Sequence, residues 1–395
     1  MFAVTTGSGL QPGWISRAIG RNRSNRAFDA ADSENDKQHT TGKNDMKFNA
    51  YRGCFSTAVL AGALALSAGM AAAEDATVNL NVQGGWSSAG YYSDFEVPFW
   101  TEHLPEVSGG RIAASITSLD ASGLKGSEVF RLMRMGVIDF GTSALGYVAG
   151  DDPVNEGPDL AGVALDIETE RKVLEAYRPE LEKLYQDKYG IRPLLFYPAE
   201  AQVFWCNAPI AGLDDLKGLK VRTGNRTVAD FVSAAGATTV TMPFGEVVTS
   251  LQRGVIDCAV TGTFSGNAAG WAETATHLYP LVMGWSPFMY GANQRVWDGL
   301  PADVQALLTE EFARFEDDLW AAAARRSDEG LSCSTGGACS FGKPFDMTLV
   351  PVTPEDDARR RDIVRDVVLP AFQDRCGKAC FESWQARVGA LVGLN

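Results

Sequence analysis

LKGLKVRTGNRTVADFVSAAGATTVTMPFGEVVTSLQRGVID, residues 216–257, decides the fold. Apolar patterning predicts a strand over 219–223, a helix over 227–235, a strand over 238–242 and a helix over 245–253, with another strand at 256–261. That alternation is the order of a parallel sheet with crossover helices. It puts Arg222 at the carboxyl end of the first strand, where open α/β sheets hold their ligands. A planar guanidinium there has the chemistry to hold a carboxylate; a structural salt bridge to a nearby acid is the alternative.

Working outward, the same alternation occurs earlier in the chain. Residues 78–82 and 112–118 read as strands, 127–135 as a helix and 137–142 as a short apolar strand. A charged amphipathic helix follows at 168–189, interrupted only by Pro179. Strands at 192–197 and 201–207 flank Pro198, where the chain is expected to cross from one lobe to the other. The two tandem α/β units show no repeat in residue identity, so any duplication is expected in structure only. The strongest helix is 301–330, opened by Pro301 and closed by Gly330. At 1.5 Å per residue it spans about 40–45 Å, enough to brace two lobes. A strand near 347–350 and helices at 354–373 and 381–392 complete the chain.

The first 73 residues are expected to stand apart from the fold. Residues 46–73 carry a short basic stretch, the apolar run FSTAVLAGALALSAGM and Ala71-Ala72-Ala73 before Glu74, the pattern of a secretory signal peptide. Residues 1–45, polar and aperiodic, read as an extension, non-native or disordered. No later segment reaches the ~18–20 apolar residues of a membrane span. The remaining 322 residues exceed what one core holds, which predicts two lobes. Residues 1–73 hold 8 of the 35 Lys and Arg and 5 of the 49 Asp and Glu, leaving a net charge of −17. Such a surface argues against nucleic acid or anionic membrane as a partner.

Six cysteines remain, an even number in an exported chain, which favours disulfides. Cys333 with Cys339 and Cys376 with Cys380 are the first pairing expected, cross-pairing between those loops the second. Cys206 and Cys258 stand in apolar strands, as free thiols or as a third bridge. With two histidines beyond residue 73, His103 and His277, and no CxxC, zinc is not expected. The same scarcity leaves no triad, and neither GxGxxG nor GxxxxGK[ST] occurs. No cofactor and no enzymatic activity are expected. Asp151, Asp152, Asn155 and Glu156 form an acidic loop that does not match a calcium motif and reads as a solvated turn.

GLDDLKGLKVRT and GATTVTMPFGEVVTSLQRGVIDCAVTG, within 212–262, closely resemble the solute-binding proteins of tripartite ATP-independent periplasmic (TRAP) transporters, the C4-dicarboxylate-binding type. Weaker likeness extends through SGGRIAASI, the stretch 128–141 and WDGLPADVQALL. The resemblance implies a two-lobed periplasmic binding protein fold, each lobe a mixed or mostly parallel sheet flanked by helices, with a long helix bracing both. Lobe I is then 74–198 plus 286–326, and lobe II 199–285 plus 327–395. It implies a periplasmic protein that captures a small organic acid between the lobes and delivers it to small and large membrane subunits for ion-gradient-driven uptake. An exported enzyme acting on a small acid, or a binding protein serving a sensor kinase, are the alternatives.

In that family the arginine of a K-I-R motif grips the substrate carboxylate, and the motif falls on Lys220-Val221-Arg222. Phe244 and Asn225 match ligand-packing and polar positions. Gln202 and Thr261 depart from the family, standing where relatives carry an arginine and an asparagine. Trp86 and Trp205 add aromatic surface. On the first lobe Trp86, Ser87, Ser143 and Tyr147 follow strands at the cleft-facing end. One guanidinium among rings suits a monocarboxylate rather than a dicarboxylate.

Overall fold

The computed structural model describes residues 77–394, so the expected extension and signal peptide lie outside the described residues. The strands are β1 Val78–Gln83, β2 Ile112–Thr117, β3 Phe140–Ala144, β4 Ile191–Tyr197, β5 Gln202–Cys206, β6 Lys220–Thr223, β7 Thr238–Thr241, β8 Cys258–Gly262, β9 His277–Tyr279, β10 Phe288–Asn293 and β11 Thr348–Leu349. They form two sheets, ordered β2-β1-β3-β10-β4 and β11-β9-β5-β8-β6-β7, in a two-lobed α/β architecture. In each sheet one strand opposes its neighbours: β10 runs antiparallel to β3 and β4, and β5 antiparallel to β8 and β9. These two strands are entered by direct passage from the other sheet, through 198–201 and 280–287. A chain that leaves one sheet at its carboxyl edge and enters the other without a crossover helix must run back along it.

The two passages hydrogen-bond to each other. Ala199 N donates to Trp285 O at 2.8 Å, Gln202 N to Gly284 O at 2.9 Å and Met283 N to Gln202 O at 2.8 Å. A third connection is the helix Ala302–Ser334, four residues longer at its end than the sequence predicts. Its inward residues Val304, Leu308, Phe312, Phe315 and Leu319 keep a spacing of three or four and pack beneath the first sheet with Phe99 and Trp100. Further along, Ser327 O accepts from Thr263 Oγ1 at 2.8 Å, and Ala201 N donates to Ser327 Oγ at 3.1 Å, so the same helix ties the second lobe and a passage. Arg326 pairs with Asp94 at 3.0 Å and lies 3.6 Å from buried Glu200 in the first passage.

Several expectations need correction. RMGVID at 134–139 and RGVID at 253–257 are a repeat in residue identity as well as in structure. In both, a glycine at positive φ (Gly136, 76°; Gly254, 65°) ends a helix, an exposed valine follows, and a buried isoleucine leads to an aspartate. Asp139 accepts from Asn81 N and Asp257 from Lys220 N, each at 2.8 Å, fastening β3 to β1 and β8 to β6. One inserted residue, Met135, hides the match in an ungapped reading. The acidic loop is not a solvated turn: Asp152, Asn155 and Glu156 are buried. Asp152 pairs with Lys188, Asn155 accepts from the Tyr185 hydroxyl at 2.8 Å, and Glu156 pairs with Arg375 at 2.6 Å.

The cysteines also divide differently. Cys333–Cys339 is a disulfide, and so is Cys206–Cys258, whereas Cys376 and Cys380 are thiols. Cys206 and Cys258 are register partners on β5 and β8, which sets their side chains together across 52 residues of sequence. Gly377 separates the helices Leu369–Cys376 and Lys378–Arg387, and the two thiols there hydrogen-bond each other without a covalent link.

Candidate functional site

The parallel strands of both sheets end on one cleft. β1 leads to Trp86, β3 ends at Ala144 before Tyr147, β6 leads to Gly224 and Asn225, and β8 ends beside Thr261. The opposed strands begin there, with Gln202 at the start of β5 and Phe288 at the start of β10. The cleft encloses about 630 Å³ of non-atom space, including its part open to solvent. Arg222 is the single charged residue among those lining it.

Arg222 is 3 % exposed. Its Nε and Nη2 donate to Met242 O at 3.1 and 3.0 Å, and its Nη1 to Val260 O at 3.0 Å. A guanidinium has five N–H groups, so these three bonds leave one on each Nη for the Tyr147 hydroxyl and the cleft. Gly224 keeps that edge clear: a Cβ at this position would lie 3.4 Å from Nη1 and 3.6 Å from Nη2. No carboxylate is an ion-pair partner of Arg222 among the described residues. Burial lowers the guanidinium from its usual value, and the Tyr147 hydroxyl, hydrogen-bonded to it from the first lobe, acts in the opposite sense. The ring of Trp271 lies 6.0 Å away, behind the pocket.

Rings form one wall. Trp86 from the first lobe meets Phe244 from the second at 6.2 Å between centroids, and Phe244 stacks on Trp271 at 5.4 Å. The loop carrying Trp86 is pinned on both sides. Gly85 N donates to Glu96 at 2.8 Å, and Ser87 N and Oγ to Asp120 at 2.8 and 2.5 Å. The Trp86 indole N–H is buried without a protein acceptor. Asn225 starts the helix Arg226–Ala234: its Oδ1 accepts from Val228 N at 2.9 Å, while its Nδ2 donates to Asp159 at 3.3 Å. Gln202 donates from Nε2 to Glu200 O at 2.9 Å.

Seven of the ten residues singled out from sequence therefore share one cavity: Trp86, Tyr147, Gln202, Arg222, Asn225, Phe244 and Thr261. Three lie elsewhere. Ser87 faces Asp120 on the surface, and the Ser143 hydroxyl donates to Gly126 O at 2.8 Å inside the first lobe. Trp205 is fully buried against Trp271, three residues along β5 from the cleft-lining Gln202 and in one apolar cluster with Phe244. Ser265, Ser286 and Phe288 line the cavity and escaped the sequence reading, which assigned no strand at 288–293. A free metal site is not formed by Glu329, Cys333 and Cys339, although they cluster, because both sulfurs are in the disulfide.

Comparison with known proteins is consistent with this geometry. Residues 89–368 match the family described as bacterial extracellular solute-binding protein, family 7. The C4-dicarboxylate-binding periplasmic protein DctP of Rhodobacter capsulatus is 30 % identical over 176 residues, 44 % of this chain and 52 % of that one. The ectoine-binding periplasmic protein TeaA of Halomonas elongata is 33 % identical over 129 residues, 32 % of this chain and 38 % of that one. The chain thus spans about half or less of the length of these curated relatives. Among solved structures, a Bordetella pertussis extracytoplasmic solute receptor binding pyroglutamic acid superposes with a TM-score of 0.70 at 21 % identity, covering 79 % of this chain and 99 % of that one. That likeness concerns the fold.

Proposed function

Because the chain belongs to bacterial extracellular solute-binding protein family 7, we propose that it captures a small organic monocarboxylate between its lobes and presents it to the small and large membrane subunits of a TRAP transporter in the periplasm. The observation that carries the ligand class is the charge balance of the cleft: one guanidinium, bonded to two backbone carbonyls and the Tyr147 hydroxyl but to no carboxylate, and no other charged lining residue. A single carboxylate neutralises that site, while a second would be buried without a cation. The body of the acid lies against Trp86, Phe244 and Phe288, which favours an apolar or ring-bearing portion. The Trp86 indole N–H supplies a donor for a carbonyl or ring acceptor on that body.

Relatives include binders of dicarboxylate and of ectoine, so the class must be measured on this chain. A thermal-shift screen of pyroglutamate, ectoine, succinate, galactonate and glycine betaine tests it. A ligand at a hundred times its Kd adds about 2.7 kcal/mol of stability. A monocarboxylate should give the largest shift, and a response to succinate alone would sink the assignment.

A further inference from the structure

Among the described residues, the one non-glycine residue at positive φ is Ser286, at 47°. It lies in the second passage between lobes and lines the cleft. A residue with a Cβ held in the left-handed region stores strain, and such strain concentrates where structure around it over-determines the geometry. What determines it here is Asp159, from the first-lobe segment Pro153–Asp159. Its carboxylate accepts from Trp285 N at 2.9 Å and Ser286 N at 3.2 Å, and from Asn225 Nδ2 at 3.3 Å on the second lobe. Its backbone carbonyl accepts from Thr227 Oγ1 at 3.0 Å. Gly284 completes the cradle: a Cβ there would overlap the Asp159 carboxylate.

One carboxylate thus joins both lobes and a passage, and it orients two residues that line the cleft while lining none of it itself. We propose that Asp159 is a positioning residue for ligand capture: it locks the strained turn at Ser286 and the Asn225 side chain into their ligand-facing geometry when the lobes are together. The inference rests on the reading of the cleft as the ligand site. Retaining a buried carboxylate here is costly, since burial pushes Asp159 up to about 6. A group that costs stability and serves only packing would be better replaced by a neutral one.

The test compares wild type with D159N, and D159N/S286G with D159N/S286A, by calorimetric titration with pyroglutamate, ectoine, succinate and glycine betaine and by ligand-free melting. Asparagine keeps the shape but presents donors to groups that are themselves donors. D159N should bind about tenfold more weakly than wild type without melting lower in the absence of ligand. Glycine at 286 takes the left-handed turn without being held there, so D159N/S286G should regain affinity that D159N/S286A does not. Binding by D159N equal to wild type overturns the proposal, as does a loss of melting temperature and affinity together with no difference between glycine and alanine. If D159N does not fold, the single variants decide: S286G melting above S286A supports the strained turn, and equal melting refutes it. A wild type that binds none of the four probes counts against the reading of the cleft. The positioning role of Asp159 then stands or falls on the melting comparisons, D159N not below wild type and S286G above S286A.

Discussion

Replacing Arg222 with methionine distinguishes a ligand anchor from a structural cation. In the ligand-free protein the change removes the three hydrogen bonds to Met242 O and Val260 O and the one to the Tyr147 hydroxyl. Each carbonyl left unsatisfied costs about 1–3 kcal/mol. Against this, the variant no longer buries a guanidinium that has no carboxylate partner, a desolvation cost of the same order or larger. The two effects offset, and R222M should lie within about 2 kcal/mol of wild type in urea unfolding without ligand. Binding is different. Truncating one side of a buried, hydrogen-bonded charge pair costs about 2–5 kcal/mol, which is roughly 30- to 5000-fold in Kd. R222K, which keeps the charge but not the fork, should fall between, at about tenfold. The assay is calorimetry with the acid selected by thermal shift, paired with urea melts of the same preparations. The reasoning is refuted if R222M loses 3–5 kcal/mol of ligand-free stability, the signature of a broken structural pair, while binding the acid as wild type does.

Four further outcomes follow from other parts of the molecule. Trp86→Ala removes the first-lobe wall beside Phe244 and should weaken pyroglutamate about tenfold with less effect on the open-chain acid succinate; equal losses for both would contradict the packing role. Thiol titration of the denatured, unreduced chain from residue 74 should count two reactive cysteines, Cys376 and Cys380. C206S/C258S opens a 52-residue loop and C333S/C339S a 6-residue one, for losses of about 4 and about 2 kcal/mol on the chain-entropy relation. Finally, burial pushes Glu96 up to about 7, with Gly85 N and the Tyr290 hydroxyl acting the other way. A carboxyl raised in the folded state contributes stability that is complete below its unfolded value near 4.5 and is lost as pH rises through about 7. E96Q should therefore gain roughly 3 kcal/mol at pH 8 and little at pH 4, as read from urea melts across pH; a pH-independent effect would show that Glu96 is not the titrating group.

What could be read from residues alone was whatever local chemistry enforces. The run 216–257 announces its strands and helices through periodicity, and Arg222 announces a cleft because a charged residue at the carboxyl end of a buried strand needs a reason to be there. Arg222, Asn225 and Phe244, which line the cavity, stand in a local motif, and Trp86 and Tyr147 just past a strand. Ser87, Ser143 and Trp205 lie outside the cavity because being near a strand end does not fix where a side chain points or how deep it sits. Ser286 and Phe288 escape a local reading for a different reason: β10 is entered from the other sheet, and its partners β3 and β4 lie about a hundred residues or more away in sequence.

Sequence by itself thus determined the α/β units, the long brace and an arginine at the carboxyl end of a buried strand, since each rests on contacts between residues close along the chain. Tertiary structure alone decided that Cys206 meets Cys258, that the acidic loop is buried, and that Asp159 reaches Ser286 and Asn225 at once. Those are pairings across 30 to 219 residues, set by strand register and by how two lobes close on each other, and no local pattern of side chains encodes them.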